Sequence, residues 1–258
     1  MVSANPKKEC KNMAENNWKR VAVISDNHGD MCDWEAANVA LDVIDDFDPH
    51  YRVHLGDVFD FRAIRNGAGS GEQADGVQDD ITQGLALLDR FKPSHLTLGN
   101  HDTRAWDKAS SPTDGMLRDY CQGITRALEA RFKKNAIQWV PWGADQLIDI
   151  GGFRFLHGYH CDLHAPKTHA LKYGSCAHGH THRPNEHRCR HYDTTVGISV
   201  GCLCELSMDY ARGNTSILEQ AHGFLLMMIN ERTGAFRFNN VIREKSGEWV
   251  VPTKWVIR

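Results

Sequence analysis

The sequence predicts an α/β protein built around a parallel sheet, and three observations predict it. Five short apolar runs each end in Asp, Asn or His. Residues 21–24 run into Asp26 and His28, and 52–55 into Asp57 and Asp60. Residues 96–98 run into Asn100, His101 and Asp102, 153–156 into His157, and 175–178 into His180 and His182. Such runs read as buried strands whose tight turns carry polar side chains to the carboxyl edge, where an α/β sheet places its active site. Between the first two runs, Ala36/Ala37, Ala40/Leu41 and Ile44 recur at helical spacing, which makes a βαβ unit. The last third is strand-like throughout, with turns at 231–234 and 246–247 that read as hairpins.

The elements follow in order. Residues 1–18 are polar and without apolar periodicity, so they read as a leader ahead of one domain over 19–258. Strand one is expected at 20–25 and a helix from Asp33, stopped by Asp48 and Pro49; strand two is expected at 51–55. Residues 61–78 break the rhythm: they are Gly-rich, carry Arg62 and Arg65, and begin directly after Asp60, which suits either a surface loop or a lid over a site. Ile81, Leu85, Leu88 and Phe91 space a helix over 79–91, ended by Lys92–Pro93. Residues 103–109 read as polar linker, and 114–133 as a helix. Strands are expected at 137–139 and 147–150, with Gly151–Gly152 turning a hairpin into 153–156. A helix is expected at 164–173 and strands at 196–203, 224–229, 236–242 and 249–257.

Composition narrows the class. The 258 residues are 41% hydrophobic and 24% charged with a net charge of -3, so a single soluble domain is expected and no global basic field advertises nucleic acid. No apolar stretch approaches the roughly 20 residues that span a bilayer. The N-terminus has no signal-peptide h-region. Eight scattered cysteines read as reduced thiols, which places the protein in the cytoplasm. No motif specifies an oligomeric state.

The ordered set Asp26-x-His28, Gly56-Asp57-x-x-Asp60, Gly99-Asn100-His101-Asp102, His157 and Gly179-His180-x-His182 resembles the calcineurin-like metallophosphoesterase superfamily. The resemblance covers residues 20–182. It implies two central mixed β-sheets sandwiched by helices, a four-layer αββα arrangement, with a dinuclear metal centre at the strand ends. It also implies the ligands: Asp57 bridging both ions, Asp26, His28 and His182 completing one site, and Asn100, His157 and His180 the other. His101 takes the family's role of general acid or transition-state stabiliser, with Asp60 holding its ring and raising its pKa.

The chemistry suits these residue types. Two divalent ions about 3.5–4 Å apart neutralise phosphoryl oxygens and lower the pKa of a bridging water, so that a metal-bridging hydroxide attacks phosphorus. Carboxylate, imidazole and amide oxygen favour Mn²⁺ first, with Fe, Zn²⁺ or Ni²⁺ as substitutes, over Ca²⁺. Asp26 and His28 lie two apart, so an extended strand end points both to one side, and His180 and His182 repeat that spacing. Asp102 either caps the following turn or orients the Asn100 loop. His157 is preferred over His160 and His164 because it ends a strand and precedes Gly158. His54, His95 and His178 lie inside apolar strands and read as core. His187, Cys189, His191, Cys202 and Cys204 match no compact zinc knuckle. Arg62 and Arg104 are candidate phosphate contacts, because guanidinium forks match phosphate oxygens.

Four activities compete on this footing. The first is a phosphodiesterase or phosphatase acting on a nucleotide or small phosphoester. The second is a DNA nuclease of the repair-exonuclease type, for which Lys167, Lys172, Arg183, Arg188 and Arg190 with Tyr159, Tyr173 and Tyr192 would supply a basic, stacking track. The third is a Ser/Thr-type protein phosphatase, opposed by Phe61 where that branch has Arg-Gly and by Asp102 where it usually has Glu. The fourth is a non-enzymatic scaffold of the same fold, opposed by the presence of every ligand. Residues 179–184 are also similar to the lipid A pathway pyrophosphohydrolases, which usually carry Arg in place of His101.

Overall fold

β1 (Trp18–Ile24) sorts its side chains by parity. Val21 and Val23 pack in one apolar layer with Phe153, Phe155 and Ile198, while Ala22 and Ile24 pack in another with Ala37, Leu41 and Ile44. A strand alternates faces with period two, so one central strand serves two cores. The computed structural model describes residues 17–189, 195–206 and 219–252.

α1 (Trp34–Phe47) starts where the Asp33 carboxylate accepts the Ala36 N–H at 3.0 Å. It stops at Asp48, whose backbone is left-handed. β2 (Tyr51–His54) lies parallel to β1. The segment after β2 is ordered as a 3-10 turn, Arg62–Ile64, and a short helix, α2 (Ser70–Ala74). α3 (Gln78–Phe91) then leads to β3 (His95–Thr97), parallel to β2. α4 (Thr103–Ser110) and α5 (Gly115–Lys134) precede β4 (Gln138–Val140), parallel to β3. β5 (Ile148–Ile150) and β6 (Phe153–Leu156) form the expected hairpin, with Gly151 and Gly152 both at positive φ.

α6 (Ala165–Tyr173) and β7 (Cys176–His178) follow, then the antiparallel pair β8 (Asn185–Cys189) and β9 (Thr195–Ser199). β10 (Gly223–Asn230) and β11 (Phe236–Ile242) close the chain back onto β1. The result is a six-stranded sheet in the order β11-β10-β1-β2-β3-β4 and a five-stranded sheet in the order β5-β6-β7-β9-β8. Both are mixed, and their facing sides share one core. α1 covers the outer face of the first sheet and α6 that of the second, which is the α/β, two-sheet sandwich expected.

Several boundaries differ from expectation. Trp18 belongs to β1, so a leader ending at 18 is one residue too long at least; residues 1–16 lie outside the described ones. α4 replaces the polar linker at 103–109. Its only buried residue is Ala105, so it carries no apolar stripe, and it is held by packing on α5. β8 was not foreseen because it is a polar edge strand, largely exposed. The run expected at 196–203 is a strand only to Ser199; beyond it Cys202 and Cys204 make single bridges to His222 and Cys32. In 249–257, Trp249 pairs singly with Arg243, and 253–257 lie outside the described residues.

Candidate metal centre

The polar loops leave the carboxyl ends of β1, β2, β3, β6 and β7, and their backbones are stitched together. The amides of Asp26 and His28 donate to Gly56 O and Asp57 O, both at 3.0 Å. Asp26, His28, Asp57, His180 and His182 all have φ between 50° and 68°. Left-handed backbone at non-glycine residues costs of order 1 kcal/mol or more each and clusters where function requires it. Two glycines make room: a Cβ on Gly99 would stand 2.1 Å from Asp57 Oδ1, and one on Gly179 would stand 1.9 Å from Ser25 Oγ.

Two groups of donor atoms converge. In one, His28 Nε2 lies 3.1 Å from His182 Nε2, and His182 Nε2 lies 3.4 Å from Asp26 Oδ1. In the other, His157 Nε2 lies 2.9 Å from Asn100 Oδ1, with His180 alongside. Asp57 joins them, its Oδ2 lying 3.8 Å from His28 Nε2 and 3.3 Å from His157 Nε2. All seven residues expected as ligands therefore meet at one place.

The donor chemistry fits cations. His28 Nδ1 faces the Asp60 carboxylate at 3.0 Å, and His157 Nδ1 faces the Leu55 carbonyl at 2.8 Å. Those partners only accept, so Nδ1 carries a proton on both rings, and Nε2 presents a lone pair whenever the ring is neutral. Each Nε2 then points at further atoms that carry lone pairs: His182 Nε2 in one case, and the oxygens of Asn100 and Asp57 in the other. Such a cluster needs positive charge within it, a proton on a ring or a metal cation. Atoms about 3.0–3.4 Å apart also match neighbouring ligands on an ion with bonds near 2.1 Å. In the chain by itself, protons on the rings supply that positive charge. Burial works against charge at Asp26 and Asp57, yet His182 beside the first and His157 beside the second hold both carboxyls below their ordinary range. Burial likewise opposes protonation of His157, but Asp57 pushes its pKa up to about 9.

Asp60 Oδ1 accepts from His101 Nδ1 as well as from His28 Nδ1. Asp60 pulls the His101 pKa upward, as expected, but the net shift is downward. Burial lowers it, and the upward pull of Asp57 and Asp60 does not make up the difference. Asp102 does not cap α4 with its side chain. Its two oxygens accept the Phe59 and Gly99 amides, both at 2.8 Å, and so tie the Asp57 loop to the Asn100 loop.

The two candidate phosphate arginines part company. Arg62 is bidentate to Asp30 at 2.6 Å and donates to Asp75 at 2.7 Å, so its fork is already occupied. Arg104 donates Nη1 to Asp60 O at 2.7 Å, and its other donors have no partner among the described residues.

Sequence reading missed Asp80. It is buried on α3 and accepts the Asp60 and Phe61 amides at 2.9 and 2.7 Å. Burial pushes its pKa up to about 6. Nothing in the sequence separates it from exposed Asp79 beside it in the first helical turn. It also missed Asn27, which accepts from His54 Nε2 and donates to Val58 O, both at 2.9 Å. His54, His95 and His178 are buried in their strands, as expected. His160 packs on the Tyr159 ring, and His164 precedes α6, so neither competes with His157.

The five-residue zinc set is not assembled among the described residues. His187 and Cys189 lie on the edge strand β8, Cys202 and Cys204 lie beside His182, and His191 is outside the described residues. The basic track is largely engaged: Lys172 sits 5.2 and 5.1 Å above the Tyr159 and Tyr173 rings, and Arg183 binds Glu219 and Cys161 O. Arg188 covers Phe238, and Arg190 and Tyr192 lie outside the described residues.

The sequence model of the family described as calcineurin-like phosphoesterase matches residues 19–195. No curated protein matches the chain. Among solved structures, a metallophosphoesterase from Sphaerobacter thermophilus is 16% identical with a TM-score of 0.42, over 87% of this chain and 88% of that one. Yfce, a phosphoesterase from E. coli, is 14% identical with a TM-score of 0.35, over 84% of this chain and 96% of that one. A hypothetical protein from Pyrococcus horikoshii OT3 is 12% identical with a TM-score of 0.43, over 88% and 89%. These superpositions are too loose to bear on the reaction.

Proposed function

The chain belongs to the calcineurin-like phosphoesterase family, a metal-dependent hydrolase of phosphoester bonds, and from that premise we propose a two-cation phosphodiesterase or phosphatase acting on a nucleotide or small phosphoester. The observation that carries the reading is Asp57 Oδ2, placed between His28 Nε2 and His157 Nε2. In this reading Asp26, His28 and His182 hold one ion, Asn100, His157 and His180 the other, and Asp57 both. Oxygen and imidazole donors favour Mn²⁺, with Fe, Zn²⁺ or Ni²⁺ as substitutes. The ions supply charge to the phosphoryl oxygens and make water acidic near neutrality.

The chain's own residues do the rest. In this reading His101 serves the leaving oxygen: with Nδ1–H given to Asp60, Nε2 donates a proton only from the doubly protonated ring, a form that burial opposes and Asp57 and Asp60 favour. Arg104 offers its unpartnered donors to a phosphoryl oxygen. Asp80 and Asp102 hold the two loops that set Asp57, Asp60 and His101. No described helix is long and apolar enough to cross a membrane. The described cysteines are free thiols, which supports a reducing, cytoplasmic setting.

The test is a substrate panel with added Mn²⁺: bis-p-nitrophenyl phosphate, p-nitrophenyl phosphate, cyclic nucleotides and single-stranded DNA. Metal-dependent turnover of the small esters is expected. No hydrolysis of any member with any of the four metals overturns the reading, and efficient DNA cleavage replaces it with the nuclease.

A further inference from the structure

Beneath His182 lies a sulfur pocket that the proposed reaction does not use. Cys202 and Cys204 are fully buried, and Cys32 is nearly so. The chain is led there by backbone bonds: Leu203 N donates to Asp26 O at 3.1 Å, Ala221 N to His182 O at 3.0 Å, and Cys32 pairs with Cys204. Cys204 Sγ lies 3.7 Å from His182 Nδ1. Cys202 lies within hydrogen-bonding reach of both Cys204 and His182, and its Sγ is 3.7 Å from Ala221 O.

The far end of this chain decides its direction. A backbone carbonyl only accepts, so the Cys202 S–H donates to Ala221 O. The Cys202 sulfur then accepts the Cys204 S–H, and the Cys204 sulfur accepts the Nδ1–H of His182. The reverse direction at the ring, Cys204 S–H onto Nδ1, would leave the His182 proton on Nε2, where the cation is proposed to sit. We infer that Cys204, backed by Cys202, is a positioning residue that locks His182 with Nδ1 protonated and the Nε2 lone pair turned toward the cation site. Metal-bound histidines generally hand their second N–H to a carboxylate or carbonyl; here a buried thiol takes it. His28 uses Asp60 and His157 uses Leu55 O for the same purpose, whereas His182 uses sulfur.

The inference rests on the reading of His182 as a ligand, and the test separates the two. The probe is Zn²⁺ added to the metal-stripped full chain. Long-range ¹H–¹⁵N correlation on the wild type should show His182 protonated at Nδ1 and bound through Nε2. Zn²⁺ affinity, read by competition with a chelator, should fall about 10–100-fold in Cys204→Ala. Cys204→Ser, which keeps a donor and an acceptor, should recover part of that loss, and Cys121→Ala, a buried thiol elsewhere, should change nothing. Wild-type affinity in Cys204→Ala, or a proton on Nε2 of His182, overturns the inference while leaving the metal site intact. So does a sulfur-to-metal charge-transfer band with Co²⁺, which would make Cys204 a ligand itself. Failure of the wild type to bind Zn²⁺ sinks both readings. The wild-type spectrum decides the matter even where the alanine variant does not fold.

Discussion

His28 Nε2 and His182 Nε2 stand 3.1 Å apart although 154 residues separate them in sequence. The proton of His28 is on Nδ1, facing Asp60, so its lone pair is aimed at the other ring. Two ring nitrogens at that distance need positive charge between them, a shared proton or, in the proposed reading, a metal cation.

Metal removal should therefore destabilise the fold. At free Mn²⁺ about 100-fold above its dissociation constant, linkage contributes about 2.7 kcal/mol. Thermal melting with and without a chelator checks this: a clear drop on chelation, restored by Mn²⁺, is expected in the wild type and absent in His28→Ala. Identical melting with and without chelator in the wild type would refute it.

Asp57→Asn should lose both ions, because its Oδ2 approaches both His28 and His157. Elemental analysis is the measurement. Two metals per chain in the variant would refute the bridge, and loss of one ion would confine Asp57 to a single site.

His101→Ala should keep its metal and its stability but lose turnover by about 10²–10⁴, the range of a general acid. Its ring is fixed on Asp60, which is not among the proposed ligands, and meets His28 in an edge contact. Full activity with normal metal content would remove it from the reaction.

The two arginines should differ. Arg104→Ala should raise KM about tenfold or more, as the loss of a charge-assisted hydrogen bond to phosphate does. Arg62→Ala should leave KM nearly unchanged and instead expose residues 61–78 to limited proteolysis, since it releases Asp30 and Asp75. Steady-state kinetics and protease mapping of both variants decide it; the reverse pattern would return Arg62 to the substrate.

His54 makes stability depend on pH. It is fully buried, its Nε2 bonded to Asn27 and its Nδ1 accepting the Gly56 amide at 3.1 Å, so protonation must break a bond. Burial holds its pKa near about 3 against 6.5 in a free side chain. The unfolded chain then binds the extra proton, so this contribution is whole above pH 6.5 and fades as the pH falls toward 3. Its size is of order a few kcal/mol. Urea unfolding in chelator from pH 7 to 4 should show a shallower acid loss in His54→Gln than in the wild type; equal slopes would count against the assignment.

Much of the centre was readable from short windows of sequence. An apolar run, a glycine and a polar residue lie within a few positions of each other, so strand ends such as 96–98 with Asn100 announce themselves. Helices with an apolar stripe and a cap, such as the one begun by Asp33, were equally plain. α4 and β8 were not, because neither buries a face of its own and each exists by leaning on a neighbour.

By itself, then, the sequence determined which residue types crowd the strand ends, in what order, and the α/β alternation that lines those ends up. Only the tertiary structure decided who faces whom. It paired Arg62 with Asp30 and Asp75, put Asp80 under the Asp60 loop, set Cys204 against His182, and let burial outweigh Asp60 at His101. The reason is physical. Strand periodicity and turn conformation are settled between neighbours along the chain, whereas desolvation and hydrogen-bond partnership depend on what distant segments bring to the same point in space.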